Sequence, residues 1–499
     1  MSTLSSASHD GRAGDAGRLV SLLFIGAFFL LVLVPFVCMP FANEDVSAEK
    51  RELAPEPRVI VDGRPNLAVL KELGDYFADH FAFRGALVDL DATVKQRVFM
   101  TSATSNVVVG TDGWLYYAGT LNDYQCRNTM SDHELKNITT NLALIQEYVL
   151  SQGKGFVLAV APNKNTLYAD HMPYYEVAGS GQSNVERLLP LLVERGGFTT
   201  DLAQVFRSQG KTLYYARDSH WNEEGALLVY RSLLPFLTTP LMSFADEQWV
   251  PAGHVGDVDA MLHPRSAQEE ADVRLAASQS YAFENETTSV EQDTIETSSK
   301  AEGAAGTLMM YRDSFGNNLL PYYASAYAHA HFSKLVPYDM GSQAFMAAND
   351  VIIERAERHV DHFATSPPYM QSPLRSIAVE GEPRSGNTSV RLLKNGPYLV
   401  IEGTLDETCA TEDDAVFVQL EDVDGTVRTI EAFHVSQPAE GVQDSEDTKD
   451  SKKASQTIEG DWGYRAFMKL DERGITAFGG VRILVGSVDQ AFEVKRATI

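Results

Sequence analysis

The chain has 499 residues, 44% hydrophobic and 10% aromatic, the composition of a globular protein with material for more than one packed core. Its 68 Asp and Glu against 41 Lys and Arg leave a formal charge of −27, which excludes a nucleic-acid partner, since neutralising phosphates needs a basic surface. The same imbalance disfavours docking on anionic lipid and favours a neutral or cationic polymer as partner.

Positions 19–41 form one long apolar run without a charged residue, about the length that crosses a bilayer as a helix. Arg12 and Arg18 precede it, and Glu44 and Asp45 follow. That asymmetry predicts a cytoplasmic tail (1–18), a transmembrane signal anchor (19–41) and a catalytic part outside the membrane. A cleaved signal peptide is the competing reading, because Pro35, Pro40 and Ala42 offer a processing region. Residues 42–66, punctuated by Pro55, Pro57 and Pro65, read as a juxtamembrane spacer.

From Leu67 an apolar helical pattern runs through Leu70, Leu73 and Phe77 and continues past Phe81 to Val94. Within it, Asp79-His80-Phe81 and Arg84 read as groups that position the helix. Asn106 to Gly110 reads as a strand, and Asp112-Gly113 as a turn into Trp114-Leu115-Tyr116. Helical spacing over 132–151 is followed by a buried-type strand over 156–160 that ends at Pro162-Asn163-Lys164. Further helices are predicted over 185–195, 202–208 and 226–237, with strands near Phe198 and over 212–215. Asn222, followed by Glu223 and Glu224, fits an N-cap with an acidic first turn.

Residues 264–306 are rich in Glu, Asp, Ser and Thr, and predict a flexible acidic insertion. Alternation resumes with a strand over 307–311, a helix over 319–328, a strand over 334–336, a helix near Ala344 and a strand over 351–353. Beyond Pro373, short alternating runs between Asn395-Gly396, Asp424-Gly425 and Gly479-Gly480 predict an antiparallel β-sandwich over 373–499, with a flexible loop over 436–460. Trp462 and Tyr464 make it a candidate carbohydrate-binding module. Cys126 and Cys409 are a candidate disulfide in an oxidising compartment. Neither a CxxC pair nor a HxxxH motif occurs, so no metal is called for, and no motif asks for a cofactor.

Two blocks carry chemistry. In Asp218-Ser219-His220-Trp221-Asn222, an extended backbone would put Asp218 and His220 on one side, where a carboxylate can fix an imidazole tautomer. In Arg312-Asp313-Ser314-Phe315-Gly316, a serine stands between a strand and a helix. Backbone N–H groups of Ser314 and Phe315 could there receive an oxyanion. Asn163 and Lys164, at another strand end, are candidates to line the cleft.

These blocks, in order with Asp79-His80-Phe81-Ala82-Phe83-Arg84 and Val108-Val109-Gly110-Thr111-Asp112-Gly113-Trp114-Leu115-Tyr116, resemble the SGNH-hydrolase-like proteins of the alginate O-acetyltransferase type, the AlgX/AlgJ-like or DHHW proteins. The resemblance runs from about Arg51 to His359. It implies an SGNH-hydrolase-like parallel-sheet α/β domain over 67–372 and a Ser314, His220, Asp218 triad. It also implies acetylation of an exported or cell-surface polysaccharide, with acetyl groups supplied by a multi-pass membrane O-acyltransferase. An acetylesterase with the same triad, or a non-catalytic assembly scaffold, are the alternative readings.

Overall fold

A computed structural model describes residues 11–39, 54–61, 63–179, 181–245, 248–284, 286, 289–436, 462–471, 474 and 478–498. Most of the loop expected over 436–460 and much of the spacer expected over 42–66 lie outside these residues. The chain divides into two compact units, one of Met1–Gly110 with Val255–Glu269, the other of Thr111–His254 with Glu270–Ile499.

In the first unit, α1 (Gly11–Cys38) contains the apolar span, Arg18–Cys38, of mean hydropathy 2.8. The helical pattern that follows is two helices, α2 (Val69–His80) and α3 (Arg84–Phe99), where the spacing predicted one. Phe81 is extended and Phe83 takes a left-handed φ of 65°, so the chain turns there despite uninterrupted apolar periodicity. The Asp79-His80 pair has structural partners. Asp79 Oδ2 accepts the Ala54 N–H at 2.9 Å, and His80 Nδ1 lies 2.9 Å from the Tyr76 carbonyl.

The second unit is built on a six-stranded sheet of β1 (Gly155–Ala161), β2 (Tyr281–Phe283), β3 (Thr294–Ser299), β4 (Thr307–Tyr311), β5 (His329–Ser333) and β6 (Asp350–Ala356). The spatial order is β1-β6-β4-β5-β3-β2, with the first four strands parallel and the last two antiparallel. Helices cover both faces, as parallel strands require. Alternate residues such as Val157, Met310 and Ile352 face one core with α6 (Glu223–Leu233) and α7 (Gly316–Ala326). Phe156, Met309 and Ile353 face the other core with α4 (Asp132–Ser151) and α5 (Asn184–Glu194). Both α4 and α5 start in capping boxes, Ser131 with Glu134 and Ser183 with Glu186.

Three expectations shift. The acidic stretch over 264–306 holds β2 and β3, which extend the sheet; an antiparallel strand needs only one buried face, and Ile295 with Thr297 supplies it on β3. The runs near Phe198 and over 212–215 make only isolated bridges, Leu158 with Thr199 and Tyr214 with Trp221. The strand expected over 334–336 lies instead at His329–Ser333, its polar residues alternating with buried Ala330 and Phe332.

The C-terminal part forms two antiparallel four-stranded sheets around a core that includes Leu399, Val418, Ile483 and Ala466. Buried Asn141 of α4 joins it to the central sheet, its amide donating to the carbonyls of Phe363 and His434. Cys126 and Cys409 are unpaired.

Candidate active site

Strand β4 ends at Tyr311, and α7 begins at Gly316, so Ser314 stands at the carboxyl edge of the sheet, partly exposed. The turn is held by Asp313, whose buried carboxylate accepts the N–H of Phe315 at 2.9 Å and that of Ala356, at the end of β6, at 2.7 Å. Burial pushes this carboxyl up, but Arg355, Arg358 and His359 outweigh it and hold it down at about 2. Gly316 is fixed by space, since a Cβ there would stand 2.7 Å from the Arg312 Cβ. Arg312, with no exposed surface, anchors the strand end by donating to the Asn317 side chain and to the Val290 and Gln292 carbonyls.

His220 Nε2 lies 2.8 Å from Ser314 Oγ, and His220 Nδ1 lies 2.6 Å from Asp218 Oδ1. The residues predicted from the two blocks therefore meet in one hydrogen-bonded line. They meet by a different route from the one expected. Residues 216–220 form a tight bend closed by the Tyr214–Trp221 bridge, not an extended segment. The His220 N–H donates to Asp218 Oδ1 at 2.8 Å, so a local turn bond brings the carboxylate under the imidazole. Burial alone would raise the Asp218 carboxyl, but His220 and His254 together hold it well below the usual range, so it stays ionised at neutral pH.

Two ties align the halves of the line. Asn318 of α7 donates to the Trp221 carbonyl at 2.8 Å, and the Tyr322 hydroxyl donates to the Glu223 carbonyl at 3.0 Å. Fully buried Trp221 meets the Phe315 ring edge-on at 4.8 Å, and His220 meets it at 4.7 Å.

The other predicted residues take varied places. The Phe315 N–H, expected to face an oxyanion, is committed to Asp313, whereas the Ser314 N–H has no hydrogen-bond partner among the described residues. Lys164 is buried beneath the base loop and donates to the carbonyls of Tyr215, Ala216 and Asp218 at 3.0, 2.9 and 2.7 Å. It stands over the Trp114 and Tyr116 rings at 5.2 and 4.9 Å. This lysine shapes the bend; it does not face a cleft. Asn163, 1% exposed, gives its N–H to Glu357 and its amide to Asp123, and its Oδ1 is buried without a partner among the described residues. Tyr464 has no exposed ring, packs in the sandwich core and donates to the Ser389 carbonyl, so it cannot stack on a sugar. Half-buried Trp462 packs on the same core and against His133 at 4.4 Å.

Sequence reasoning missed His254 and Arg358. His254 Nε2 lies 2.8 Å from Asp218 Oδ2, and its ring stacks on Tyr215 at 3.9 Å. Burial pulls its pKa down, but the bond to Asp218 prevails and raises it. No motif spacing announces this contact, because residues 218 and 254 are joined only by folding. His254→Ala is expected to lower kcat about 10-fold with little change in KM, as outer-shell partners of an orienting group do; steady-state kinetics on a soluble ester checks it. The Arg358 guanidinium, just beyond β6, lies over the rings of Tyr117 and Phe315 at 5.6 and 5.9 Å, a cation beside the residue that follows Ser314.

Glu357 supports the same edge from below. Its buried carboxylate accepts the Asn163 N–H at 2.9 Å and the Thr166 hydroxyl at 2.7 Å, yet burial pushes its pKa up to about 7. The folded chain thus binds this proton more tightly than the unfolded chain, where the group titrates near 4.5. Stability should decline as pH rises from about 4.5 to about 7 and then level off. Glu357→Gln should flatten that decline by on the order of 1–3 kcal/mol, read from denaturant midpoints at several pH values.

Residues 107–304 match the family described as "SGNH hydrolase-like domain, acetyltransferase AlgX", a match that ends before Ser314. A probable alginate O-acetylase AlgJ of Pseudomonas syringae pv. tomato is 26% identical over 224 residues, 43% of this chain and 52% of that protein. The chain spans about half the length of the curated relatives it matches. Among solved structures, Bacillus cereus PatB1 with a sulfonyl adduct aligns with TM-score 0.40 at 16% identity, covering 52% of this chain and 97% of PatB1. The O-acetyltransferase domain of Pseudomonas putida AlgJ aligns with TM-score 0.34 at 17% identity, covering 51% of this chain and 92% of that domain.

Proposed function

We propose that this chain, whose residues 107–304 match the SGNH hydrolase-like AlgX acetyltransferase family, transfers acetyl groups to hydroxyls of a cell-surface or exported polysaccharide through an acetyl-Ser314 intermediate. The observation that carries the reading is the line Asp218–His220–Ser314, with contacts of 2.6 and 2.8 Å at the partly exposed edge of the sheet. His220 Nε2 takes the Ser314 proton as Oγ attacks the acetyl carbonyl carbon. Ser314 N–H receives the oxyanion, and Asp218 stabilises the imidazolium. Collapse breaks the acyl bond to the donor, whose leaving group takes the proton from His220. An acceptor sugar hydroxyl then gives its proton to His220 and attacks the acetyl carbon; the bond to Oγ breaks, and Ser314 takes the proton back from His220. Arg358, held over Phe315, supplies positive charge beside the reacting centre.

In this reading the span Arg18–Cys38 is an uncleaved anchor that keeps the catalytic unit outside the cytoplasmic membrane, beside a multi-pass membrane O-acyltransferase that supplies acetyl groups. Arg12 and Arg18 ahead of the span, with Glu44 and Asp45 after it, support that orientation.

The test is incubation of the full-length protein in detergent with an activated acetyl ester and neutral or cationic oligosaccharides. Mass spectrometry then follows both the protein and the sugars. An acetyl mass on the protein that passes to a sugar supports the reading. Free acetate as the sole product would replace it with esterase chemistry, and the absence of any adduct or turnover in folded protein would favour a scaffold.

A further inference from the structure

Helix α2 is amphipathic and its apolar side is uncovered. Leu67, just before the helix, is 98% exposed, Leu70 is 79% and Leu73 is 52%, and no residue of α2 is buried. At 100° per residue, Leu67, Leu70, Leu73 and Phe77 fall on one side, with Lys71, Glu72, Asp75 and Asp79 opposite. Lys71 and Asp75 pair at 2.8 Å on that polar side, both in solvent.

The apolar stripe is continuous with the transmembrane span. At its C-terminal end Phe77 meets Phe36 of α1 at 5.7 Å, and the Ala82 N–H, just past α2, reaches the Pro35 carbonyl at 3.4 Å. Both contacts lie in the last turn of the span, where α1 leaves the hydrocarbon. Leucines one and two turns back along α2 from Phe77 therefore extend an apolar surface that begins inside the bilayer. The four charges on the opposite side carry both signs, three of them negative, which suits an uncharged lipid surface over an anionic one.

We propose that α2 is an interfacial helix that lies on the bilayer crossed by α1, with Leu67, Leu70 and Leu73 seated among the lipid headgroups and upper acyl chains. The proposal rests on the anchored reading of α1.

The test uses the full-length chain in phosphatidylcholine vesicles. Cys38 and Cys126 are replaced by Ser, and Cys409, 1% exposed, stays in place because a maleimide dye will not reach it. The dye is attached in turn through Leu30→Cys in the span, Leu70→Cys and Leu73→Cys on the stripe, and Asp75→Cys on the polar side. Ester turnover checks folding of each variant. Lipids brominated near the headgroup end of the acyl chain should quench the dye at positions 70 and 73 at least threefold more than at 75, with deep-brominated lipids quenching position 30. Quenching at position 30 with none at 70 and 73 overturns the interfacial helix and leaves the anchor standing. No quenching at position 30 overturns the anchor, and the interfacial helix with it.

Discussion

Ser314→Ala will form no acetyl adduct and will lose ester turnover by on the order of 10⁴-fold or more, with the fold intact. The hydroxyl ends the line at the partly exposed sheet edge, and its one hydrogen-bond partner among the described residues is the base that activates it, His220 Nε2 at 2.8 Å. The imidazole is itself 14% exposed on its side chain, so water can take the place of the lost oxygen and no buried polar group is stranded. The unfolding midpoint should therefore shift by no more than about 2 °C. Intact mass and a thermal melt on the same sample make the decision. An adduct that survives the substitution would falsify Ser314 as nucleophile, and a melt far below wild type would make its loss of activity a folding defect.

Asp218→Ala should also lower kcat on the order of 10⁴-fold, but Asp218→Asn should cost only on the order of 10². The difference comes from which atoms the carboxylate serves. Oδ1 faces both the backbone N–H of His220, at 2.8 Å, and the ring Nδ1, at 2.6 Å. A backbone N–H can only donate, so an asparagine must keep its oxygen there and turn its NH₂ towards His254, which can accept by changing tautomer. The oxygen still receives the Nδ1–H of His220, and Nε2 remains the base. What is lost is the negative charge that stabilises the imidazolium. Single-turnover acetylation rates of both variants check the ordering; equal losses would mean that the amide had flipped and the tautomer had changed.

Asp218 also links the site to acid stability. Its carboxyl is held well below its ordinary value, chiefly because the two histidines outweigh its burial. A depressed carboxyl contributes stability that is present above the unfolded value of 3.8 and is lost as pH falls.

By itself the sequence determined the class of the fold and the apolar span, and it singled out Ser314, His220 and Asp218, which the fold brings into one hydrogen-bonded line. Each has a local cause that survives without tertiary context. A parallel strand buried on both faces, Gly155–Ala161, reads as an unbroken apolar run, and Asp350–Ala356 keeps that signal in Val351-Ile352-Ile353. The cap of one helix is read from Asn222, whose side chain accepts the Gly225 N–H. Tertiary structure alone decided how the site is held. His254 reaches Asp218 across 36 residues, Lys164 reaches the bend across more than 50, and Asp313 stitches the nucleophile turn to Ala356. Such contacts leave no periodic trace, because a single buried polar side chain has no period. The same reason explains the misplaced roles. Phe315 N–H and Tyr464 had the right chemistry for an oxyanion and a sugar, and only packing revealed that Asp313 holds the first and the sandwich core encloses the second. Burial and partner choice are properties of the whole chain, and residue type constrains them only in part.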